Sequence, residues 1–265
     1  MLDQRAVDES NADYWNMLSG WSLAEAAGID PRSDEDLRRF DCRYLDFYPY
    51  LRGYVDSEDL RGKRVLEIGL GYGTLGQLLA SKGCEYHGVD IAPEPVALMR
   101  RRLRTLDGAA QRIQQASALD LPFPDEAFDY AYTIGCLHHT GNLERSVSEV
   151  HRVVEPGGRA VVMLYYRHSA RRLVHALRRA VTRSGRSDDR LLSAYDVDEA
   201  GTLPPHTDFV SRSEARRLFR SFSKVRIEAR NFDDYRLGPL VARRTWLLGN
   251  IARLVGLDLY ITADK

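Results

Sequence analysis

The stretch VLEIGLGYGTLG, residues 65–76, carries two overlapping glycine patterns. Gly69, Gly71 and Gly73 read G-x-G-x-G; Gly71, Gly73 and Gly76 read G-x-G-x-x-G. A short apolar run that stops at such glycines predicts a buried strand turning into a helix. Without a Cβ, the turn brings backbone close to a ligand, and the first amides of the helix face that ligand. Asp90 comes about 20 residues further on, where a carboxylate accepts both hydroxyls of a ribose. These features suit a nicotinamide dinucleotide and equally any other adenosine ligand.

The pattern around this stretch alternates. Apolar runs at 63–70, 85–91, 111–116, 128–134 and 158–164 read as strands. Between them, 73–83, 93–106 and 142–154 show helical spacing, with Leu143, Val147, Val150 and Val154 on one face. Pro93 and Glu94 suit a first helical turn. Strands and helices in this order predict right-handed crossovers and a parallel sheet. Such sheets bind ligands at the carboxyl ends of their strands.

Beyond 166 the rhythm changes. Residues 167–186 read as an amphipathic helix with Leu173, Leu177 and Val181 on one stripe. A long loop follows over 187–209, then a helix at 211–222, a strand at 224–232, a helix over 238–256 and a strand at 257–263. The first 60 residues read as mostly helical. The expected division is a helical N-terminal lid at 1–60, a ligand-binding core at 61–166, an acceptor-side insertion at 167–222, and strands and a helix at 223–265 that complete the sheet.

Composition sets outer bounds. Lys+Arg and Asp+Glu are both 38, and 44% of residues are hydrophobic. A zero net charge gives no global attraction to nucleic acid or to an anionic membrane. No basic segment is interleaved with aromatics, so a nucleic-acid groove is not expected. Cys42, Cys84 and Cys136 are far apart, which argues against a disulfide framework or a zinc site and for reduced, buried thiols. The polar N-terminus lacks a signal-peptide pattern, and no apolar run reaches a membrane span's length. The expectation is a cytoplasmic protein, without stable membrane insertion and without a metal.

Three further features bear on the cofactor. Glu67 sits inside the first strand, where it would repel a pyrophosphate but suits a ligand carrying an ammonium and a sulfonium. ASALDLPFPDEAFDYAYTIGCLHHT runs over 116–140, and VVEPGGRAVVM over 153–163. With EIGLGYG, Asp90, LDLPFPDEAFD, LHH and EPGG in this order, the chain resembles the class I S-adenosylmethionine-dependent methyltransferases. Within them it resembles the ubiquinone and menaquinone methyltransferase-like (type 11) group. The match is close over about residues 60–165.

The resemblance implies a Rossmann-like, seven-stranded, mostly parallel α/β sheet with an antiparallel last strand, helical additions at the N-terminus and after strand five, and S-adenosyl-L-methionine as cofactor. It implies that Glu67, Gly69, Leu70, Gly71 and Gly73 line the methionine part and ribose. Asp90 would hold the ribose hydroxyls, and Ile91 would pack on the adenine. Ala118 and Leu119 would meet the adenine edge and face, and Ile134 and Gly135 would offer a carbonyl to the ammonium. Ser117 departs from the pattern, since many members carry an aspartate there; Asp120 is the expected compensation. Gly76 reads as a helix-packing glycine.

The expected reaction is methyl transfer to oxygen of a small-molecule acceptor such as a natural product, sugar or acidic metabolite. A quinone-like or lipid carbon acceptor, and non-methylating chemistry of the same cofactor, are the alternatives on this fold; a nicotinamide dehydrogenase is the alternative outside it. A hydroxyl acceptor benefits from a general base. His138 and His139 follow strand four, Tyr165, Tyr166 and His168 follow strand five, and His206 lies in the long loop. Of these, His139, His138, Tyr166 and His206 are the catalytic candidates. Eight arginines at 167–190 face only Asp188 and Asp189, which is a solvated face or an attraction for an anionic acceptor or membrane surface. Arg100–Arg104 reads as a solvated helix face.

Overall fold

Four helices precede the sheet in the computed structural model, which describes residues 4–16, 21–106, 108–182, 193–197, 201–237 and 240–265. They are α1 (Gln4–Trp15), α2 (Trp21–Glu25), α3 (Asp34–Phe47) and α4 (Leu51–Asp56). Ser33 caps α3 by accepting from the Asp36 amide, and Asp34, Glu35 and Asp36 set negative charge on its first turn.

The core then alternates: β1 (Arg64–Ile68), α5 (Thr74–Ala80), β2 (Glu85–Asp90), α6 (Pro93–Arg102), β3 (Ile113–Gln115), β4 (Phe128–Ile134), α7 (Leu143–Val153) and β5 (Val154–Tyr165). After it come α8 (Ala170–Thr182), α9 (Arg212–Leu218), β6 (Lys224–Arg230), β7 (Tyr235–Leu237), β8 (Leu240–Ala242), α10 (Arg244–Leu247), α11 (Asn250–Val255) and β9 (Asp258–Asp264). The seven-stranded sheet has the order β3-β2-β1-β4-β5-β9-β6. β1 to β5 pair in parallel, and β9 runs antiparallel between β5 and β6. This is the α/β Rossmann-like sheet with an antiparallel last strand that the motifs imply.

Side chains alternate across the strands, so each face of the sheet buries its own helices. Leu143, Val147 and Val150 of α7 and Ala215 of α9 pack with Val162 and Leu164 on one face. Leu75 and Leu79 of α5 and Val96 and Met99 of α6 pack with Val65 and Val161 on the other.

Three sequence readings are corrected. The expected single helix at 238–256 is a short strand and two short helices. Gly249 breaks the run, with ψ at −124°, and β7 and β8 pair through Tyr235 and Ala242. The run Arg100–Arg104 is only in part a solvated face: Arg100 and Arg104 are exposed, but the arginines of α6 are engaged by the fold. Arg100 donates to the Ile113 carbonyl, Arg101 to the Pro31 carbonyl, and Arg102 to Asp41 and the Tyr72 carbonyl. Cys42 is exposed, and Cys84 and Cys136 are half-buried, rather than buried. Of the amphipathic stripe on α8, Leu173 and Leu177 are exposed; the Val181 side chain lies outside the described residues. Among the described residues no helix is long and apolar enough to cross a membrane.

Candidate active site

The carboxyl ends of β1, β2 and β4 meet around the first glycine turn. Gly69 has φ of 86°, and a Cβ there would sit 2.6 Å from Cys136 Cβ. The turn after β1 can therefore lie flush on the turn after β4 only with glycine at 69. Asp90 closes β2 and is buried. Its Oδ2 accepts from the Leu70 amide at 2.7 Å and its Oδ1 from the Ala92 amide at 2.9 Å. Burial raises its pKa, and those backbone donors oppose the rise.

Glu67 is 2% exposed and accepts a hydrogen bond from the Tyr86 hydroxyl. Burial lifts its carboxyl to about 8, with a further push from Asp90. A buried acid held neutral in this way gains most from a cation placed beside it. Gly76 lies directly over this pair, where a Cβ would fall 2.5 Å from Tyr86 Oη and 2.6 Å from Glu67 Oε2.

Two connected hollows open here. A pocket of about 60 Å³ is lined by Asp90, Ile91, Pro95, Ser117, Ala118 and Cys136, with Asp8, Asn11 and Trp15 of α1 on its far side. A chamber of about 500 Å³ is lined by Glu67, Gly69, Leu70, Gly71 and Gly73 and runs on past Tyr44, Tyr48, Tyr165, Tyr195 and Tyr260. Ile134, Gly135, Gly69 and Trp15 border both. The structure thus brings together every expected cofactor residue except Leu119. Leu119 is buried outside both hollows, its carbonyl taken by Arg145. Asp120 is exposed and does not back Ser117; Asp8 does, accepting from Ser117 Oγ at 3.0 Å. An apolar slot closed by one acid, then a turn of bare backbone, then a buried acid, fits an adenosine followed by a cationic chain. Among the described residues no group of His, Cys, Asp and Glu could hold a metal ion.

The four catalytic candidates separate. His138 is fully buried with its ring 4.0 Å from that of Tyr165; burial lowers its pKa and keeps it neutral. His139 lines the smaller pocket and not the chamber. Its Nδ1 is 2.8 Å from the His206 carbonyl, so Nδ1 carries the hydrogen, and Nε2 faces Asp196 Oδ2 at 3.5 Å. The same Asp196 oxygen accepts from the Tyr165 hydroxyl at 2.6 Å. His206 itself lines neither hollow; it serves through its carbonyl. Tyr166 points away from the chamber and packs in the opposite core with Val210 and Phe219. Alternation along β5 puts Tyr165, not Tyr166, in the chamber. Asp196 escaped the sequence reading because it stands in a loop of no periodicity.

The chamber's electrostatics are acidic. Arg171 is its only arginine among the described lining residues, and both oxygens of Asp233 and the Ala194 carbonyl occupy its donors. Asp258, beneath Asn231, is buried with its carboxyl raised to about 7. The tyrosine hydroxyls of 44, 48, 165 and 260 are pushed up by burial and stay neutral.

The chain matches the family described as "Methyltransferase domain" over residues 66–162. It is 27% identical over 172 residues to a demethylmenaquinone methyltransferase of Tropheryma whipplei, covering 60% of this chain and 71% of that protein. It is 36% identical over 141 residues to a fatty-acid O-methyltransferase of Mycolicibacterium smegmatis, covering 52% and 48% respectively. Among solved structures, one chain of the complex between the Trm112 methyltransferase activator of Haloferax volcanii and a methyltransferase superposes with a TM-score of 0.58 at 17% identity. That match covers 87% of this chain and 94% of the other.

Proposed function

Since the chain is a class I S-adenosylmethionine-dependent methyltransferase, we propose that it methylates a hydroxyl oxygen of a small, uncharged and largely apolar acceptor held in the tyrosine-walled chamber. The cofactor, when bound, supplies an electrophilic methyl on a sulfonium that leaves as neutral sulfide. The new bond joins acceptor oxygen to methyl carbon; the carbon–sulfur bond breaks with its electron pair on sulfur.

The chain's own work is alignment and proton removal. Asp90 and the slot between Ile91 and Ala118 hold the adenosine end. Glu67 and the backbone at Gly135 receive the cationic end. Tyr44, Tyr48 and Tyr260 fix the acceptor and exclude water. Orientation of this kind can supply several kcal/mol of a barrier, up to about 7–11 in well-aligned cases. The proton goes to the His139–Asp196 pair. The observation that carries this reading is the His139 ring itself. Its Nδ1–H is fixed on the His206 carbonyl, which turns the other ring nitrogen, Nε2, toward Asp196, a residue of the chamber wall.

The acidic wall of Asp196 and Asp233 argues against the anionic acceptor that the arginine-rich segment suggested. It favours, as a second reading, an amine acceptor. The deciding experiment supplies trideuteromethyl cofactor with panels of phenols, alcohols, amines and quinols. Mass spectrometry and NMR then locate the label. Label on oxygen with S-adenosylhomocysteine as co-product is the expected result. Label on carbon, or methylthioadenosine in place of S-adenosylhomocysteine, refutes the reading.

A further inference from the structure

Helix α1 lies across the cofactor pocket. Gln4 Nε2 donates to the Thr140 carbonyl and Asn11 Nδ2 to the His139 carbonyl, each at 2.8 Å. The Trp15 and His139 rings are 4.6 Å apart. Just past the helix, Asn16 Oδ1 accepts from the Glu94 amide at 3.0 Å. One edge of α1 is thus fastened to the turn after β4 and its end to the start of α6. The seat is close: a Cβ at Gly141 would lie 3.0 Å from Val7 Cγ1.

Two side chains of α1 carry spare acceptor capacity into the pocket. Asp8 Oδ1 accepts from Gln4 at 2.8 Å and Oδ2 from Ser117 at 3.0 Å; each carboxylate oxygen keeps a further lone pair. Asn11 is 3% exposed. The His139 carbonyl takes its Nδ2, which fixes the amide's orientation, and its Oδ1 is buried with no hydrogen-bond partner. A buried acceptor left unmade is costly, so this one awaits a donor. The slot's other walls, Ile91, Pro95 and Ala118, are apolar and suit a flat heterocycle.

We propose that Asp8 and Asn11 are cofactor-binding residues contributed by α1. Asp8 accepts from the adenine amino group, and Asn11 Oδ1 accepts a second hydrogen from the adenosine. Helix α1 is then a lid that lifts to admit the cofactor and is held down by it. The carboxylate missing at Ser117 is supplied from the far side of the pocket.

The test compares S-adenosylhomocysteine with S-inosylhomocysteine, whose purine bears a carbonyl where adenine bears the amino group. Calorimetry gives the ratio of their affinities. The wild type prefers the adenosyl ligand; Asp8→Ala lowers the preference about tenfold or more, and Asp8→Asn, which can donate, lowers it further. An unchanged ratio in both variants overturns the assignment of Asp8, because a merely structural role weakens both ligands alike. Hydrogen exchange reads the lid and Asn11. On adding S-adenosylhomocysteine, amides of α1 slow in the wild type and slow less in Asn11→Ala. No slowing of α1 in the wild type overturns the lid, and equal slowing in Asn11→Ala overturns that residue's part.

Discussion

The Tyr86 hydroxyl donates to Glu67 beneath Gly76, with acid and phenol both out of reach of solvent. Burial holds the Glu67 carboxyl near 8 in the folded chain, against an unfolded value of about 4.3. Between those values the folded state binds the extra proton, so this residue's contribution to stability falls as pH rises through the window and is flat above it. The slope is up to about 1.4 kcal/mol per pH unit. Glu67→Gln should remove it, which denaturant melts of both proteins at pH 5, 6.5 and 8 will show. A cationic ligand favours the ionised acid. Cofactor binding at pH 7 should therefore release a proton in the wild type and not in Glu67→Gln, as calorimetry in buffers of different ionisation enthalpy will reveal. Equal proton release in the two proteins refutes the assignment.

Much of this site is legible in the sequence because it depends on local order. Glycines after a strand, an acid ending the next strand and a proline-glycine pair near the start of β5 are contiguous signals, and they place Glu67, Gly69 and Asp90 without knowledge of the rest. What the sequence hides is contact at a distance. Arg102 reads as one of a run of exposed arginines until α3 brings Asp41 onto it. Tyr165 and Tyr166 differ only in which face of β5 they take, and a one-residue shift of register reverses the choice. Asp196 and Asp8 meet the site from a loop and from the N-terminal helix, and nothing in their neighbours marks them.

Gly76 tests the second glycine pattern. It lines neither hollow; it lets α5 pass over Glu67 and Tyr86. Gly76→Ala would set a methyl 2.5 Å from Tyr86 Oη, and the helix or the pair must shift. The expected cost is about 1–3 kcal/mol, a fall in Tm of several degrees, roughly 2–4 °C per kcal/mol for a chain of this size. Affinity for S-adenosylhomocysteine should fall with it. A melting curve and a titration suffice. Unchanged stability would show that the crowding over Glu67 relaxes at no cost.

The Arg102–Asp41 pair ties α6 to α3, with the Arg102 side chain 5% exposed. Asp41 also accepts from Thr74 Oγ1 at 2.6 Å, so one carboxylate joins α3, α5 and α6. Removing Asp41 strands the buried Arg102 charge, at about 3 kcal/mol or more; removing Arg102 leaves the half-buried Asp41 with Thr74 and costs less. Asp41→Ala and Arg102→Met should each destabilise the fold, and the double variant should lose less than the sum, because no charge is then left unpaired. Denaturant unfolding of the three variants reads the coupling. Strict additivity would show that the two side chains act independently.

The His139–Asp196–Tyr165 cluster makes the sharpest demand on the proposed chemistry. Asp196 Oδ2 faces His139 Nε2 at 3.5 Å and accepts from Tyr165 at 2.6 Å, so a proton taken by the imidazole finds a carboxylate waiting. His139→Asn removes the lone pair and should lower kcat for a hydroxyl acceptor by about 10²–10⁴-fold. His139 also lines the cofactor pocket and packs on Trp15, so affinity for S-adenosylhomocysteine should fall too, but far less than kcat. Asp196→Asn should lower kcat less and displace the pH–rate profile, because the imidazolium loses its counter-charge. Tyr165→Phe should shift that profile the other way by freeing the carboxylate of one donor. Single-turnover rates across pH 6 to 9 for the four proteins separate the roles. If His139→Asn lowers kcat no more than it lowers cofactor affinity, the histidine serves only as the pocket wall that it forms and not as the base.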